Sequence, residues 1–200
     1  MEKEEWVSEI RGIPDDMFSR TDRIPMTKRE IRIISLSDLR IRLGMRVIDI
    51  GCGSGSMTVE ISNIIGEEGS VTGIDMNKDA VNLTTRNCLN LCRFNNYSIR
   101  LSDVYEYSAA ESFDAVFVGG GTAKIHDLFD KIGQMTRSAS RVVVNAIQIH
   151  TAYLSLEEMS SRGYSDVNIM QAIISNGMRT PEGYAMLARN PIFVISGVVP

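Results

Sequence analysis

"RVIDIGCGSGSMTVEI", residues 46–61, is the stretch that decides the fold. Apolar Val47, Ile48 and Ile50 are interrupted by Asp49, and glycines then stand at alternate positions, Gly51, Gly53 and Gly55. A short apolar run that ends in glycines and passes into a helical pattern is a strand, a tight turn and a helix start. Glycine lets the backbone turn sharply and lets a ligand approach with no Cβ in the way. The helix start adds amide donors that have no partner inside the helix. Asp49 either orients the loop amides or is a hydrogen-bonded core aspartate.

Working outward, strands and helices alternate. Strands are expected at 46–50, 70–75, 97–103, 113–121, 141–147 and 165–174, with a last one at 190–198. Helices are expected at 56–65, 78–91, 124–135 and 152–163. Such alternation means a parallel sheet with helices on both faces, wound by right-handed crossovers. No helix separates the last two strands, only an irregular 175–189, so the final strand runs antiparallel. The expected fold is α/β and Rossmann-like: seven strands, mostly parallel and doubly wound, the last antiparallel. Upstream, Thr27 and Glu30 have capping-box spacing for a helix reaching Leu43, with Ile31, Ile34, Leu39 and Leu43 inward and Gly44 ending it. Residues 1–200 read as one domain, with 1–43 covering a core at 44–200.

The glycine pattern fits phosphate ligands badly. A dinucleotide site wants G-x-G-x-x-G, and here the third glycine of G-C-G-S-G comes one place early. A phosphate loop of the Walker type needs a lysine that is not there. Asp75 ends the second strand, twenty residues after Gly55, where a carboxylate accepts from two ribose hydroxyls. Asp103 ends the third strand and can take an adenine amine, with Val104 packing near the ring. A site made of acids and carbonyls suits a nucleoside with a cationic tail.

Composition sets bounds. Hydrophobic residues make up 44% and charged residues 23%, ordinary for a globular protein. Net charge is −4 and the pI about 5.3, which argues against a chain that coats nucleic acid. No apolar run reaches membrane-span length, and "MEKEEWVSEIRG" lacks a signal-peptide core. A cytoplasmic protein with no membrane partner is expected. Cys52, Cys88 and Cys92 are too few for a disulfide framework, and with two histidines no metal site is expected. A local basic excess between Arg20 and Arg46 suits either an anionic ligand or a solvated helix face.

These landmarks resemble the class I S-adenosylmethionine-dependent methyltransferases: "VIDIGCGSG", the acid of "GIDMN", the acid of "LSDV" and the strand "FDAVFVGGG". A narrower resemblance joins "GIPDDMFSR" (12–20), "IPMTKREIR" (24–32) and the glycine ending of the fourth strand. Together they look like the decarboxylating precorrin and cobalt-precorrin C15-methyltransferases of cobalamin biosynthesis. The resemblance implies that Gly51, Cys52, Gly53, Ser54, Gly55, Asp75, Asp103 and Val104 hold S-adenosylmethionine, with Thr27 of "PMTK" over it. It implies a tetrapyrrole substrate, no nucleic acid partner and a homotetramer. Gly119, Gly120 and Gly121 would leave room for the macrocycle, while Arg20 and Arg23, with Lys28, Arg29 and Arg179, would meet its carboxylate arms. No nucleophile is expected, because the methyl arrives activated and positioning is the main contribution; His126 and His150 read as structural or solvated. The rivals are a tRNA adenine or protein isoaspartate methyltransferase of the same fold, and a silent nucleoside-binding module.

Overall fold

The computed structural model describes residues 12–200; residues 1–11, the first part of the expected cover, lie outside the described residues. The strands are β1 (Arg46–Ile50), β2 (Ser70–Asp75), β3 (Tyr97–Leu101), β4 (Phe113–Val118), β5 (Thr136–Ala146), β6 (Ser165–Ala172), β7 (Ser175–Thr180), β8 (Gly183–Ala188) and β9 (Ile192–Val198). The helices are α1 (Arg29–Leu39), α2 (Ser56–Ile65), α3 (Lys78–Leu91), α4 (Ile125–Met135) and α5 (Ile149–Ser161).

Seven strands form one sheet in the order β3-β2-β1-β4-β5-β9-β6. The first five pair in parallel, and β9 runs antiparallel to both neighbours, as the sequence implies. The chain winds outward from β1 to β3, then returns to β4 on the other side of β1. This reversal leaves a crevice beyond the carboxyl ends of β1 and β4. Both glycine runs, 51–55 and 119–121, follow those two ends.

The period of two in the strands sorts side chains onto two faces. Val47 joins Val71, Ala115, Phe117, Val143 and Val194 under α1 and α2. Ile48 and Ile50 join Val116, Val118, Val142 and Val144 on the opposite face, covered by α4 and α5. Each such buried side chain contributes about 1.5–3 kcal/mol. Asp49 falls on the Val47 face, opposite Gly73 and Phe117 in register, and so meets α2. Nine of the ten residues of α2 are buried, so its polar side chains need internal partners. Thr58 finds Asp49, and Glu60 finds Arg32.

Two expectations are corrected. Helix α1 starts at Arg29 rather than at a Thr27 cap, because the Arg29 amide donates to the distant Asp15 carboxylate at 3.0 Å. It ends at Leu39, where Arg40 turns left-handed (φ 51°), and Leu43 is 80% exposed instead of inward. The stretch 175–189 is a hairpin, β7 paired with β8, rather than irregular. Pro181 and Gly183 supply the turn chemistry at the second and fourth turn positions, a signal present in the sequence.

Candidate active site

A cavity of about 320 Å³ opens at the crevice. Its floor is Gly51–Ser54, with Asp49 and Ile50 beneath; Asp75, Asp103 and the glycines at 119–121 stand around it, and Pro25 and Thr27 roof it. Three carboxylates line it and, among the described residues, no lysine, arginine or histidine does. That charge pattern favours a cationic ligand over a phosphate.

The loop geometry explains its glycines. Gly51 has φ 72°, and a Cβ there would sit 2.6 Å from the Gly120 Cα and N. The two glycine turns therefore touch backbone to backbone, and Gly120 serves packing as well as open space. Gly53 has φ 55°, and its Cβ would lie 3.1 Å from the Pro25 carbonyl of the roof. Gly55 does not line the cavity; it caps α2 and backs onto Thr84, whose Cα lies 2.9 Å from where its Cβ would be. Cys52 is on the wall, and burial pushes its thiol pKa upward, so it is a neutral contact rather than a nucleophile.

Asp75 accepts from the Gly53 amide at 3.0 Å and the Asn77 amide at 2.9 Å, one on each oxygen. A carboxylate has about four acceptor positions, so this fixed group keeps capacity for a diol. Asp103 holds the turn after β3 by accepting from the Tyr105 amide at 3.1 Å. Val104 is buried beside it, and the Tyr105 hydroxyl donates to the Gly121 carbonyl at 2.7 Å, tying that turn to the one after β4.

Asp49 does not orient the loop amides. Its Oδ2 accepts from the Thr58 hydroxyl at 2.5 Å, while Oδ1 is buried with no partner among the described residues. Burial raises its pKa to about 7, the Thr58 hydrogen bond opposing and the Asp75 charge assisting. The Ser54 hydroxyl is likewise buried without a partner. Unsatisfied atoms of this kind cost about 1–3 kcal/mol each, and both residues line the cavity.

Residues 12–28 form the roof, and what anchors it is not visible in the sequence alone. Arg32 is fully buried. It donates to Glu60 at 3.3 Å, to Asp15 at 2.7 Å, to the Thr27 carbonyl at 2.8 Å and to the Ile13 carbonyl, and it lies 4.8 Å from the Phe18 ring centroid. Glu60 also accepts from the Gly12 and Ile13 amides, at 3.3 and 2.7 Å. Asn87 of α3 pairs with both backbone groups of Ser19 and donates to the Ser54 carbonyl at 2.8 Å, joining roof to loop. The available signal was Glu60, the one charged residue of helix α2, which once buried requires a cation. Arg20, Arg23 and Arg29 are exposed and, like Lys28, lie off the cavity wall; Arg179 is on the exposed hairpin. His126 is exposed and 3.1 Å from Glu158, and His150 is exposed at the start of α5. Among the described residues no group of three or more acids, histidines and cysteines could hold a metal.

Known proteins resemble this chain in sequence and fold. The precorrin methyltransferase domain family matches residues 16–178. The chain is similar to a probable cobalt-precorrin-6B C(15)-methyltransferase (decarboxylating) of Thermoplasma acidophilum, 74% identical over 200 residues, covering 100% of this chain and 99% of that protein. It is 43% identical to a protein of the same description from Saccharolobus solfataricus, over 98% of this chain and 100% of that one. Its fold matches the crystal structure of a precorrin 8W decarboxylase of Methanobacterium thermoautotrophicum with TM-score 0.83 and 27% identity, covering 92% and 98% of the two chains. A match over most of the chain, on a fold whose crevice is built from its own glycine turns, means that the chain belongs to the precorrin methyltransferase family.

Proposed function

We propose that the chain methylates C15 of a cobalt-precorrin with S-adenosylmethionine and removes carbon dioxide from the C12 acetate arm, a step of cobalamin biosynthesis. The observation that carries the cofactor is the cavity wall: three carboxylates and, among the described residues, no basic side chain, at the switch point of the sheet. The relatives' names carry the substrate. S-adenosylmethionine fits the residues present. Asp75 would accept from the ribose diol, Asp103 would face the adenine amine with Val104 against the ring, and the unpartnered oxygens of Asp49 and Ser54 would meet the cationic tail. Thr27 and Pro25 would cover it.

When bound, the cofactor supplies a methyl already activated by its sulfonium. The chain's own part is to hold that methyl in line with an electron-rich macrocycle carbon and to exclude water. Asp75, fixed by two amides, would hold the nucleoside by its diol. Gly119, Gly120 and Gly121 leave the approach free of side chains. In the decarboxylation, the electrons of the breaking carbon–carbon bond pass into the conjugated macrocycle, so the substrate is its own sink. Arg20 and Arg23 lie off the wall and would act only at the outer rim, on the carboxylate arms.

The same reading takes residues 1–200 as one cytoplasmic domain that self-associates, as a tetramer by resemblance. Among the described residues no helix is long and apolar enough to cross a membrane. Support for self-association is the β7–β8 hairpin, on which Met178, Tyr184, Met186 and Leu187 are each more than half exposed. A two-stranded ribbon is marginal in water by itself. The deciding experiment is mass spectrometry after incubation with cobalt-precorrin-6B and S-adenosylmethionine. The expected product has gained one methyl and lost one carbon dioxide; methyl gain on tRNA instead would favour the nucleic acid rival.

A further inference from the structure

The unpartnered oxygen of Asp49 has a consequence for how the site fills, given the cofactor reading above. Asp49 is 1% exposed, and only one of its oxygens is held, by Thr58. The titratable groups around it carry no compensating charge. Asp75 faces it from the end of β2, Cys52 from the loop and Cys88 from α3. Helix α2 presents the Thr58 hydroxyl, β4 the Phe117 ring, and the roof Pro25 and Thr27. An ionised Asp49 therefore has, among the described residues, no cation to pair with inside the cavity, and a cation brought by the ligand is the partner the geometry lacks.

We propose that cofactor uptake is coupled to proton release at Asp49: the ligand's ammonium enters beside Oδ1 and Ser54 Oγ, and the carboxyl proton leaves to solvent. The balance is one cation in and one proton out, which leaves the charge of the closed cavity unchanged. Burial supports this directly, since it holds the ligand-free carboxyl at a pKa of about 7. Below that pH the site must give up a proton to bind; above it the carboxylate is already formed.

Isothermal titration calorimetry with S-adenosylmethionine between about pH 5.5 and pH 7 tests the coupling. Ordinary carboxylates titrate below this window and an α-amino group near ~8 above it, while an ordinary imidazole at about 6.5 falls inside it, so the comparison with Asp49→Asn assigns the slope. The expected result is affinity weakening by about tenfold per pH unit as pH falls, with about one proton released. Proton release is read from the heat difference between two buffers of unlike protonation enthalpy. Asp49→Asn should bind with no pH slope and no proton release. Thr58→Val leaves Asp49 in place but removes the hydrogen bond that stabilises its charge, so it should move the midpoint of the slope upward. Wild-type affinity that is flat across the window, or a slope that survives in Asp49→Asn, overturns the coupling while leaving the cofactor assignment standing. Failure to bind at every pH would defeat both.

Discussion

The loop after β1 and the hairpin β7–β8 are both built from short strands and tight turns, yet they face opposite problems. Every residue of β1 after Arg46 is buried, and its loop packs backbone against backbone on the turn after β4. Every residue of β8 is exposed. The first region is over-determined: each glycine, each carboxylate and the roof have named contacts inside the chain. The second has its contacts within the ribbon and leaves its apolar side chains to solvent or to a partner. The difference teaches that the geometry of the crevice is fixed by the chain itself, whereas the hairpin presents an apolar surface that the fold does not cover.

Substitutions can break that contrast. The largest effect is expected from Gly53→Val, which places a branched side chain at φ 55° against the roof carbonyl. Cofactor binding should be lost by calorimetry, at a stability cost of about 1–3 kcal/mol, while circular dichroism keeps the fold. Arg32→Ala strands the buried Glu60 carboxylate and should cost about 3–5 kcal/mol in urea unfolding; an unchanged midpoint would mean that the roof is held by something else.

Asp49 ties stability to pH. Its carboxyl binds a proton more tightly in the folded chain than in the unfolded one. The stability it contributes is therefore fully present below about pH 4 and is lost as pH rises through about 7. A shift of that size corresponds to a few kcal/mol. Ligand-free Asp49→Asn should flatten the fall in melting temperature over that range; equal slopes in both proteins would count against the buried, half-satisfied carboxyl. Asp75→Ala removes two amide contacts and the acceptor proposed for the ribose diol, and should weaken S-adenosylmethionine by roughly tenfold to a hundredfold. The smallest effect on the site is expected from Met186→Asp with Leu187→Asp. The mass by light scattering should drop while cofactor affinity holds and the stability of the single chain moves within about 0.5 kcal/mol. A change in cofactor affinity there would show that the two regions are coupled.

Much of this was legible. The alternation of strand and helix patterns placed the seven-stranded sheet and its reversed last strand, because period and connection length restrict topology tightly. The strand-end acids Asp75 and Asp103 fall on one cavity because parallel strands deliver their carboxyl ends to one side. The hairpin turn at Pro181 and Gly183 is legible from its residue types, although the surrounding stretch has no strand period strong enough to announce the ribbon. The partner of Glu60, the cap that Asp15 lends to α1 and the bridge from Asn87 to the roof were not visible, since each joins residues far apart in the chain and side chains of ordinary type.

The sequence by itself determined that a glycine turn ends a buried strand, that carboxylates follow the next two strands, and that no phosphate clamp is present. These are local facts, set by period, residue size and charge. Only the tertiary structure decided what the oddities do. Asp49 turns its Oδ2 to Thr58 and leaves Oδ1 unmet at the cavity, Gly120 exists partly to clear Gly51, and Arg32, one of the basic residues between Arg20 and Arg46, becomes the buried pin of the roof. Each depends on which distant element packs alongside, and burial then converts an ordinary side chain into one that must find a partner or wait for a ligand.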